Sequence, residues 1–276
     1  MRKLILISNP GSVEEGNYQP VTESVINRYV AFFRSNIGGK WSDEEQEIEQ
    51  YGENHELTIA HMDEIMEELD SSECTYSMIV FCGHGAEADN GEDGIQLPRI
   101  NHANLNCYRV SRLLSLHEPD EVRRRIKRTV IIDACREILP IPPVQLFEGE
   151  LQTEIALMDG TRCKSHYNWL IDQDYPHVEL LQSTSPDKPA YPTLSGSEYA
   201  DQVFKLIHNY ARAWRAFAIQ NIQNGLFEFS MRNLHDYVTI GIARTSQRQI
   251  PQYTVVGSIR HGFPFAAISS RAVLWG

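Results

Sequence analysis

Short apolar runs alternate along this chain with longer amphipathic segments. The runs at 4–7 (LILI), 76–82 (YSMIVFC) and 129–132 (TVII) each predict a buried β-strand. Between them, positions 21–34 and 58–69 repeat apolar residues at helical spacing, which predicts two amphipathic helices. Strands that alternate with helices are typical of a mostly parallel sheet with helices on both faces. The pattern therefore predicts an α/β protein built as a three-layer α/β/α sandwich.

The same pattern continues along the rest of the chain, with one interruption. Residues 108–116 predict a third helix, 179–185 another strand and 197–228 a long helix. The interruption at 138–178 is rich in proline at first and then polar, without sustained periodicity. Loops of this length are usually functional or disordered, so we expect a long lid or a cleavable processing linker there. The prediction is a single domain over residues 1–276 that contains this linker.

Composition narrows the class of protein and its partners. The 276 residues are 42% hydrophobic and 22% charged, which suits a globular protein with a sizeable core. The formal net charge is −12, so we expect no nucleic-acid partner, and the basic cluster 123–128 is interpreted as a solvated helix end. No apolar segment approaches the length of a membrane span or a signal-peptide core, so we expect no membrane partner and a cytoplasmic location.

The five cysteines form neither a disulfide framework nor a zinc pattern. They are odd in number and include no CxxC pair, so a special cysteine here is expected to be special for its reactivity. Acidic clusters at 43–49 and 87–93 would permit calcium, but neither has EF-hand spacing, and solvated loops explain them. We therefore expect no cofactor and no metal site, while the sequence does not decide calcium dependence.

Two predicted strands end in residues that carry chemistry. The first delivers His84 between two glycines (FCGHG), and the second delivers Asp133 and Cys135 (IIDACRE). In open parallel sheets, sites form beyond the carboxyl ends of the strands. His84 and Cys135 are 51 residues apart, which leaves room for one helix and two loops between neighbouring strands. We expect the two strand ends to lie side by side.

A thiol and an imidazole in that position are a candidate catalytic dyad. The imidazole lowers the pKa of the thiol or accepts its proton, and the thiolate is then the nucleophile. Taken singly, Cys135 is explained as a small buried hydrophobe, and His84 as a packing or capping residue. Both residues at two matched strand ends are hard to obtain by chance, so the dyad is the preferred interpretation.

The pair FCGHG and IIDACRE resembles the caspase and metacaspase peptidases of the caspase–haemoglobinase fold. The caspase signature Gln-Ala-Cys-[Arg/Gln/Gly]-Gly has its histidine about 50 residues upstream. Here Asp133 replaces the glutamine, a metacaspase-like choice, and Glu137 replaces the glycine. The segment 180–207 resembles the family's strand, pocket loop and long helix, and 249–265 (QIPQYTVVGSIRHGFPF) resembles its closing Gln-x-Pro … Pro-Phe stretch.

The resemblance implies a cysteine endopeptidase of caspase-like fold, of the compact bacterial type. Cys135 would attack the scissile carbonyl, and His84 would act as general base and then protonate the leaving amine. The backbone amides of Gly85 and Cys135 would bind the oxyanion. The partner would be a protein or peptide substrate, and the sequence leaves the oligomeric state open.

The resemblance also implies which residues bind the substrate. Asp133 would reach into the S1 pocket, and Ser183 and Asp187 would lie in the pocket loop. Residues two apart on a strand face the same way, so the Asp133 carboxylate should point to the side that carries Cys135. A carboxylate there favours a cationic side chain, so we expect cleavage after Arg or Lys rather than after Asp. The alternative role of Asp133 is to cap the turn that follows it.

Two functions from other classes fit the same residues. A non-catalytic caspase-like scaffold would bind peptides or partners, although the presence of both His84 and Cys135 argues against it. A small-molecule hydrolase that works by acyl transfer would use the same dyad. A thiol-reactive probe and a screen of peptide substrates distinguish these alternatives from an endopeptidase.

Overall fold

A central sheet of mostly parallel strands organises the chain. The structure is a computed structural model, and it describes residues 1–14, 16–52, 55–87, 92–98, 107–135, 160–185, 192–193, 196–220, 226–245 and 249–269. The strands are β1 (Arg2–Ser8), β2 (Ile48–Tyr51), β3 (Tyr76–Glu87), β4 (Asp93–Gln96), β5 (Cys107–Arg109), β6 (Lys127–Cys135), β7 (His177–Gln182), β8 (Pro192–Thr193), β9 (Gly196–Ser197), β10 (Leu226–Ser230), β11 (Gln252–Gly257) and β12 (Pro264–Ser269). The main sheet has the order β11–β7–β6–β3–β1–β2, and β4 and β5 extend it beside β3.

The directions of the strands define two functional edges of the sheet. Strands β1, β2, β3, β6 and β7 run parallel, while β11 runs antiparallel to β7. Every residue of β1 is buried, as expected for a parallel strand that is covered on both faces. The carboxyl ends of β1, β3, β6 and β7 therefore meet at one edge, which we call the carboxyl edge. Their amino ends meet at the opposite, amino edge.

Helices cover both faces of this sheet. They are α1 (Val21–Arg34), α2 (Ile59–Leu69), α3 (Val110–Leu113), α4 (Asp120–Arg123), α5 (Gly160–Gln173), α6 (Glu198–Gln220) and α7 (Met231–Thr245). Leu4 and Leu6 of β1 pack into a core with α1, α5, α6 and α7, and the alternating Ile5 and Ile7 pack with α2 and α3 on the other face. The predicted three-layer α/β/α sandwich with a mostly parallel sheet is confirmed. No helix in the described parts of the chain is long and apolar enough to cross a membrane.

The expected linker at 138–178 is wrong in its second half. Helix α5 occupies part of it, and β7 begins at His177. Buried residues lie along one stripe of α5, namely Cys163, His166, Tyr167, Leu170 and Ile171. Helical spacing was present in the sequence, but the intervening polar residues concealed it. The stretch 138–159 lies outside the described residues.

The predicted helix at 108–116 is also wrong in part. Its first residues belong to the short strand β5, and the helix is the single turn α3. Tyr108 is buried in the strand, and its hydroxyl donates to Asp63 on α2 at 2.8 Å. The pattern of apolar residues over this short segment fits a helix and a strand equally well, and the pairing of β5 with β4 favours the strand.

Two charged clusters that were expected to be solvated are partly buried. In the acidic cluster 43–49, Glu47 accepts a hydrogen bond from the guanidinium of the buried Arg2 at 2.9 Å. In the basic cluster 123–128, Arg128 is fully buried on β6 and pairs with Asp70 at 2.5 Å. Both buried cations lie at the amino edge of the sheet, where a long-range partner neutralises each of them.

Candidate active site

The pairing of β3 with β6 brings the two predicted strand ends together. In this parallel register Cys82 lies beside Asp133, and His84 lies beside Cys135. Adjacent strands are about 4.8 Å apart, so the backbones of His84 and Cys135 are immediate neighbours. The structure describes the backbone of Cys135 but not its side chain. This juxtaposition is at the carboxyl edge, where sites form in sheets of this type.

His84 is held against the loop that follows β1. It is 6% exposed, and its Nε2 lies 3.4 Å from the carbonyl oxygen of Pro10. A carbonyl only accepts hydrogen bonds, so this contact favours the tautomer that carries its hydrogen on Nε2. In that tautomer the lone pair is on Nδ1. The imidazole then has one nitrogen to hold its orientation and the other to act as a base.

Glycine is required in the loop beside this histidine. Gly11 has φ of +77°, and a Cβ placed there would lie 2.6 Å from Nε2 of His84. The same Cβ would lie 2.6 Å from Oδ1 of Asn17, which accepts a hydrogen bond from the backbone N–H of Ser12. Gly11 therefore allows the loop to contact the imidazole closely.

Asp133 is buried beneath the same edge. It is 1% exposed, and its Oδ2 accepts a hydrogen bond from the hydroxyl of Ser197. That hydroxyl also accepts the backbone N–H of Ala200 at 3.0 Å, so Ser197 caps helix α6. The other oxygen of Asp133, Oδ1, has no hydrogen-bond partner among the described residues. Asp133 thus contacts the start of a distant helix, and the turn that it was alternatively expected to cap lies outside the described residues.

Burial controls the acidity of this carboxyl group. It raises the pKa of Asp133 to about 6, and the nearby hydroxyls of Ser197 and Ser183 offset only part of that rise. The charge of Asp201 raises the pKa further. Among the described residues, no cationic side chain forms an ion pair with Asp133. Asp133 is therefore a buried acid whose charge is only partly compensated.

Ser183 and Gly85 lie close to these residues, and Asp187 lies outside the described residues. The backbone N–H of Ser183 donates to the carbonyl of Ile132 at 2.9 Å, and its hydroxyl donates to Ala134 at 3.4 Å. Gly85 pairs with Ile95 of β4 and is half-buried. A small cleft of about 20 Å³ is lined in part by Gly85, Ala134 and Ser183. Ser183 and Gly85 therefore lie on either side of the end of β6.

Several residues at this edge had no individual signal in the sequence. Tyr29 and Tyr199 are fully buried, and their hydroxyls have no partner among the described residues. Burial raises the pKa of both phenols, and the charge of Asp133 raises it further. A tyrosine on an amphipathic helix is usually a core residue, so only the fold brings these hydroxyls to Asp133. The loop that contacts His84 did have a signal in the sequence, because Asn-Pro-Gly directly after the first strand indicates a turn.

A larger cavity than this cleft lies away from the carboxyl edge. It measures about 380 Å³ and lies between α2 and residues 108–118. Its walls include the ion pair of Asp63 with Arg112, at 2.6 Å. Within the described ranges, no group of three or more His, Cys, Asp or Glu is placed to hold a metal ion. The residues that the sequence predicts for catalysis lie at the strand ends and do not line this cavity.

Comparison with known proteins assigns the chain to a family. The family model of the caspase domain matches residues 33–258, well over half of the chain. The chain belongs to the caspase domain family. The resemblance inferred from FCGHG and IIDACRE is thereby confirmed, and the protein is a member of a family of cysteine peptidases. A sequence search among curated proteins finds no match.

Solved structures support the same fold. The Drosophila initiator caspase Dronc superposes with a TM-score of 0.54 and 8% identity, covering 95% of this chain and 82% of that chain. A protein from Geobacter sulfurreducens superposes with a TM-score of 0.51 and 12% identity, covering 95% of each chain. At these identities the likeness concerns the fold alone. Catalysis and specificity must therefore be argued from the residues of this chain.

Proposed function

We propose that this protein is a cysteine endopeptidase that cleaves peptide bonds after Arg or Lys. Cys135 is the nucleophile, and His84 is the general base. The observation that carries the proposal is the register that sets His84 beside Cys135 at the carboxyl edge of a caspase-family sheet. Two residues 51 positions apart in sequence, of the two types that a thiol peptidase needs, are neighbours there.

The proposed reaction has two stages. Nδ1 of His84 takes the proton of the Cys135 thiol, and the thiolate attacks the scissile carbonyl. Backbone amides of Gly85 and Cys135 donate to the oxyanion, and His84 then gives its proton to the leaving amine. Water, activated by the same imidazole, hydrolyses the thioester and restores the thiol. The Pro10 carbonyl stabilises the imidazolium through Nε2–H in both stages.

The preference for a basic P1 residue depends on Asp133. Its Oδ1 is buried without a partner among the described residues, and a cationic side chain would satisfy it. A charge-assisted hydrogen bond of this kind contributes about 1.5–3 kcal/mol, which corresponds to a preference of about tenfold to hundredfold. An acidic P1 residue would instead place two carboxylates together, which is unfavourable.

A peptide library tests this function directly. Wild type should cleave after Arg and Lys, while Cys135→Ala and His84→Ala should each lose at least about a thousandfold in activity. Both variants should keep the thermal stability of a folded protein. The same assay with and without a chelator decides whether calcium is required, since the dyad chemistry itself uses no metal ion. Full activity in purified Cys135→Ala would contradict the proposal.

A thiol-labelling experiment separates a peptidase from a scaffold. Iodoacetamide should label Cys135 in wild type much faster than in His84→Ala, because the imidazole promotes formation of the thiolate. The four other cysteines serve as internal controls, and Cys82 and Cys163 among them are buried. Equal labelling rates in the two proteins, with no cleavage by wild type, would favour the non-catalytic scaffold.

A further inference from the structure

The Pro10 carbonyl oxygen is fixed between two groups. Nε2 of His84 lies 3.4 Å from it, and the backbone N–H of Gln19 donates to it at 2.5 Å. Because the carbonyl is part of a loop rather than a strand, its direction depends on how that loop is anchored. The loop after β1 therefore contributes to the orientation of the imidazole.

Asn9 anchors this loop to two neighbouring strands. Its side-chain amide Nδ2 donates to the carbonyl of Gln96 on β4 at 2.8 Å, and its Oδ1 accepts the N–H of Gly11 at 3.0 Å. Its own backbone N–H donates to Cys82 on β3 at 2.9 Å. Asn9 is 7% exposed, so these bonds are shielded from water. One residue thus joins the end of β1, the strand of His84 and the residue after Pro10.

The packing around Asn9 leaves no room for the loop to shift toward β3. A Cβ on Gly83, the residue before His84, would lie 2.6 Å from the carbonyl oxygen of Asn9. On the other side of the loop, Gly11 is in contact with the imidazole of His84. The loop is therefore enclosed by the histidine strand, and the amide of Asn9 supplies the directional bonds.

We infer that Asn9 is a positioning residue for His84: it holds the loop so that the Pro10 carbonyl receives the Nε2–H of the imidazole. This inference rests on the proposed function, in which His84 is the base. In this inference Asn9 acts through the Pro10 carbonyl and takes no part in the bond changes of the reaction. Loss of the anchor lets the carbonyl turn away, so the protonated imidazole loses an acceptor.

Loss of the Asn9 anchor should change the proton affinity of His84 and not only the stability of the protein. Because the carbonyl stabilises the protonated ring, its loss lowers the pKa of His84. The limb of the pH–rate profile that His84 governs should therefore move to lower pH. Misplacement of a catalytic group by about 1 Å can reduce the rate by about a hundredfold, so kcat should fall more than KM changes.

The test compares three variants with wild type on an Arg-P1 peptide. Asn9→Ala should lower kcat by about tenfold or more and shift the His84 limb, with KM within about twofold. Asn9→Asp keeps the acceptor for Gly11 but cannot donate to Gln96, so its kcat should be intermediate. Asn168→Ala is the matched control. The side-chain oxygen of Asn168 accepts a hydrogen bond at 2.7 Å from Arg2, which lies at the amino end of β1, whereas Asn9 follows the carboxyl end of β1.

The outcomes distinguish positioning from a general structural role. Asn168→Ala should lower the melting temperature without moving the pH profile. If Asn9→Ala behaves like this control, with wild-type kcat and pH profile, the inference is wrong while the proposed function stands. If Asn9→Ala does not fold, kcat and KM of Asn9→Asp decide the comparison, because its added carboxylate itself affects the pKa of His84. A wild-type protein that cleaves no peptide would overturn the proposed function, and the inference with it.

A nuclear magnetic resonance titration gives a readout besides activity. In the Cys135→Ala protein, the ring nitrogens of His84 should report the Nε2–H tautomer, and Asn9→Ala should lower the pKa of the ring. An unchanged tautomer and pKa would contradict the inference, whatever the peptide assay gives.

Discussion

The two edges of the central sheet carry buried charge in opposite ways. At the amino edge, buried Arg128 binds Asp70 at 2.5 Å and also donates to Ser77 at 2.8 Å, and Arg2 binds Glu47 at 2.9 Å. At the carboxyl edge, Asp133 is as deeply buried but has a hydroxyl as its hydrogen-bond partner, and burial raises its pKa to about 6. The amino edge satisfies its charges within the fold. Among the described residues, the carboxyl edge pairs its buried carboxylate with no cation.

Under the proposed function, buried charges at the amino edge stabilise the fold, whereas the buried charge at the carboxyl edge serves activity. A buried carboxylate without a cation is unfavourable for folding, so its presence needs a functional reason. Its position two residues before Cys135 provides one under the proposed function. The comparison predicts that loss of a charged partner at the amino edge destabilises the protein, whereas loss of the Asp133 charge at the carboxyl edge lowers activity without destabilising the fold.

The largest change in stability is expected at the amino edge. Asp70→Ala leaves the guanidinium of Arg128 buried without its anion, which should destabilise the protein by about 3–5 kcal/mol. The exposed pair of Arg123 with Asp120 is the control, and Arg123→Ala should cost less than about 1 kcal/mol. Urea unfolding measures both. Equal effects at the two pairs would remove the distinction between buried and exposed charge.

Asp133→Asn should stabilise the protein at neutral to basic pH, in contrast to Asp70→Ala, which should destabilise it. The folded pKa is about 6 and the ordinary value is 3.8, so the carboxyl group favours folding most below pH 4 and loses that contribution as the pH rises through 6. At pH 8 the asparagine variant should therefore be more stable than wild type, by up to about 3 kcal/mol. Its activity on an Arg-P1 peptide should nevertheless fall about tenfold or more.

Unfolding experiments at pH 8 and pH 4 test this sign. The stability difference between wild type and Asp133→Asn should shrink toward zero at the lower pH. A variant that is less stable at pH 8 would show that Asp133 stabilises the fold, for example through the cap of α6. That result would remove the contrast between the two edges.

Two glycines with similar backbone angles sharpen the comparison at the carboxyl edge. Gly11 has φ of +77° and contacts His84, whereas Gly16 has φ of +70°, and a Cβ placed on it would have nothing within 4 Å. Gly16→Ala should cost only the strain of the left-handed conformation, about 1–2 kcal/mol. Gly11→Ala should add a clash with the imidazole and lower kcat about tenfold or more. Equal kcat in the two variants would show that the contact of this loop with His84 does not affect catalysis.

The smallest expected effect concerns an unpartnered hydroxyl. Tyr199→Phe removes a buried hydroxyl without a partner among the described residues, so it should be neutral or stabilising by up to about 1 kcal/mol. Tyr76 is the matched control, because its hydroxyl bonds to that of Thr129 at 2.8 Å. Tyr76→Phe should therefore destabilise by about 1 kcal/mol. Thermal unfolding that reverses this order would contradict the account.

The sheet and the candidate dyad could be predicted because their signals are local. Strands β1, β3 and β6 each contain a short apolar run, and His84, Asp133 and Cys135 lie at the ends of two of them. Parallel strands align their ends, so local patterns were sufficient to place these residues at one edge. The helix at 160–173 was missed because its apolar stripe is interrupted by many polar residues.

The supporting contacts could not be predicted, because they join distant parts of the chain. Ser197 is 64 residues from Asp133, and Asn9 is 87 residues from Gln96. Nothing in the sequence around Asn9 indicates which carbonyl its amide will meet. The same holds for the burial of Arg128, whose partner Asp70 is 58 residues away. Such contacts depend on the order of strands, which the sequence pattern leaves undetermined.

The most direct test of the central claim is the P1 preference of wild type and Asp133→Asn on matched peptides. The peptides differ only in carrying Arg, citrulline or Asp at P1, and citrulline keeps the shape of Arg without its charge. The account predicts that wild type prefers Arg over citrulline by about tenfold to hundredfold, and that Asp133→Asn loses most of this preference. Efficient wild-type cleavage after Asp, with the Arg peptide uncut, would contradict it.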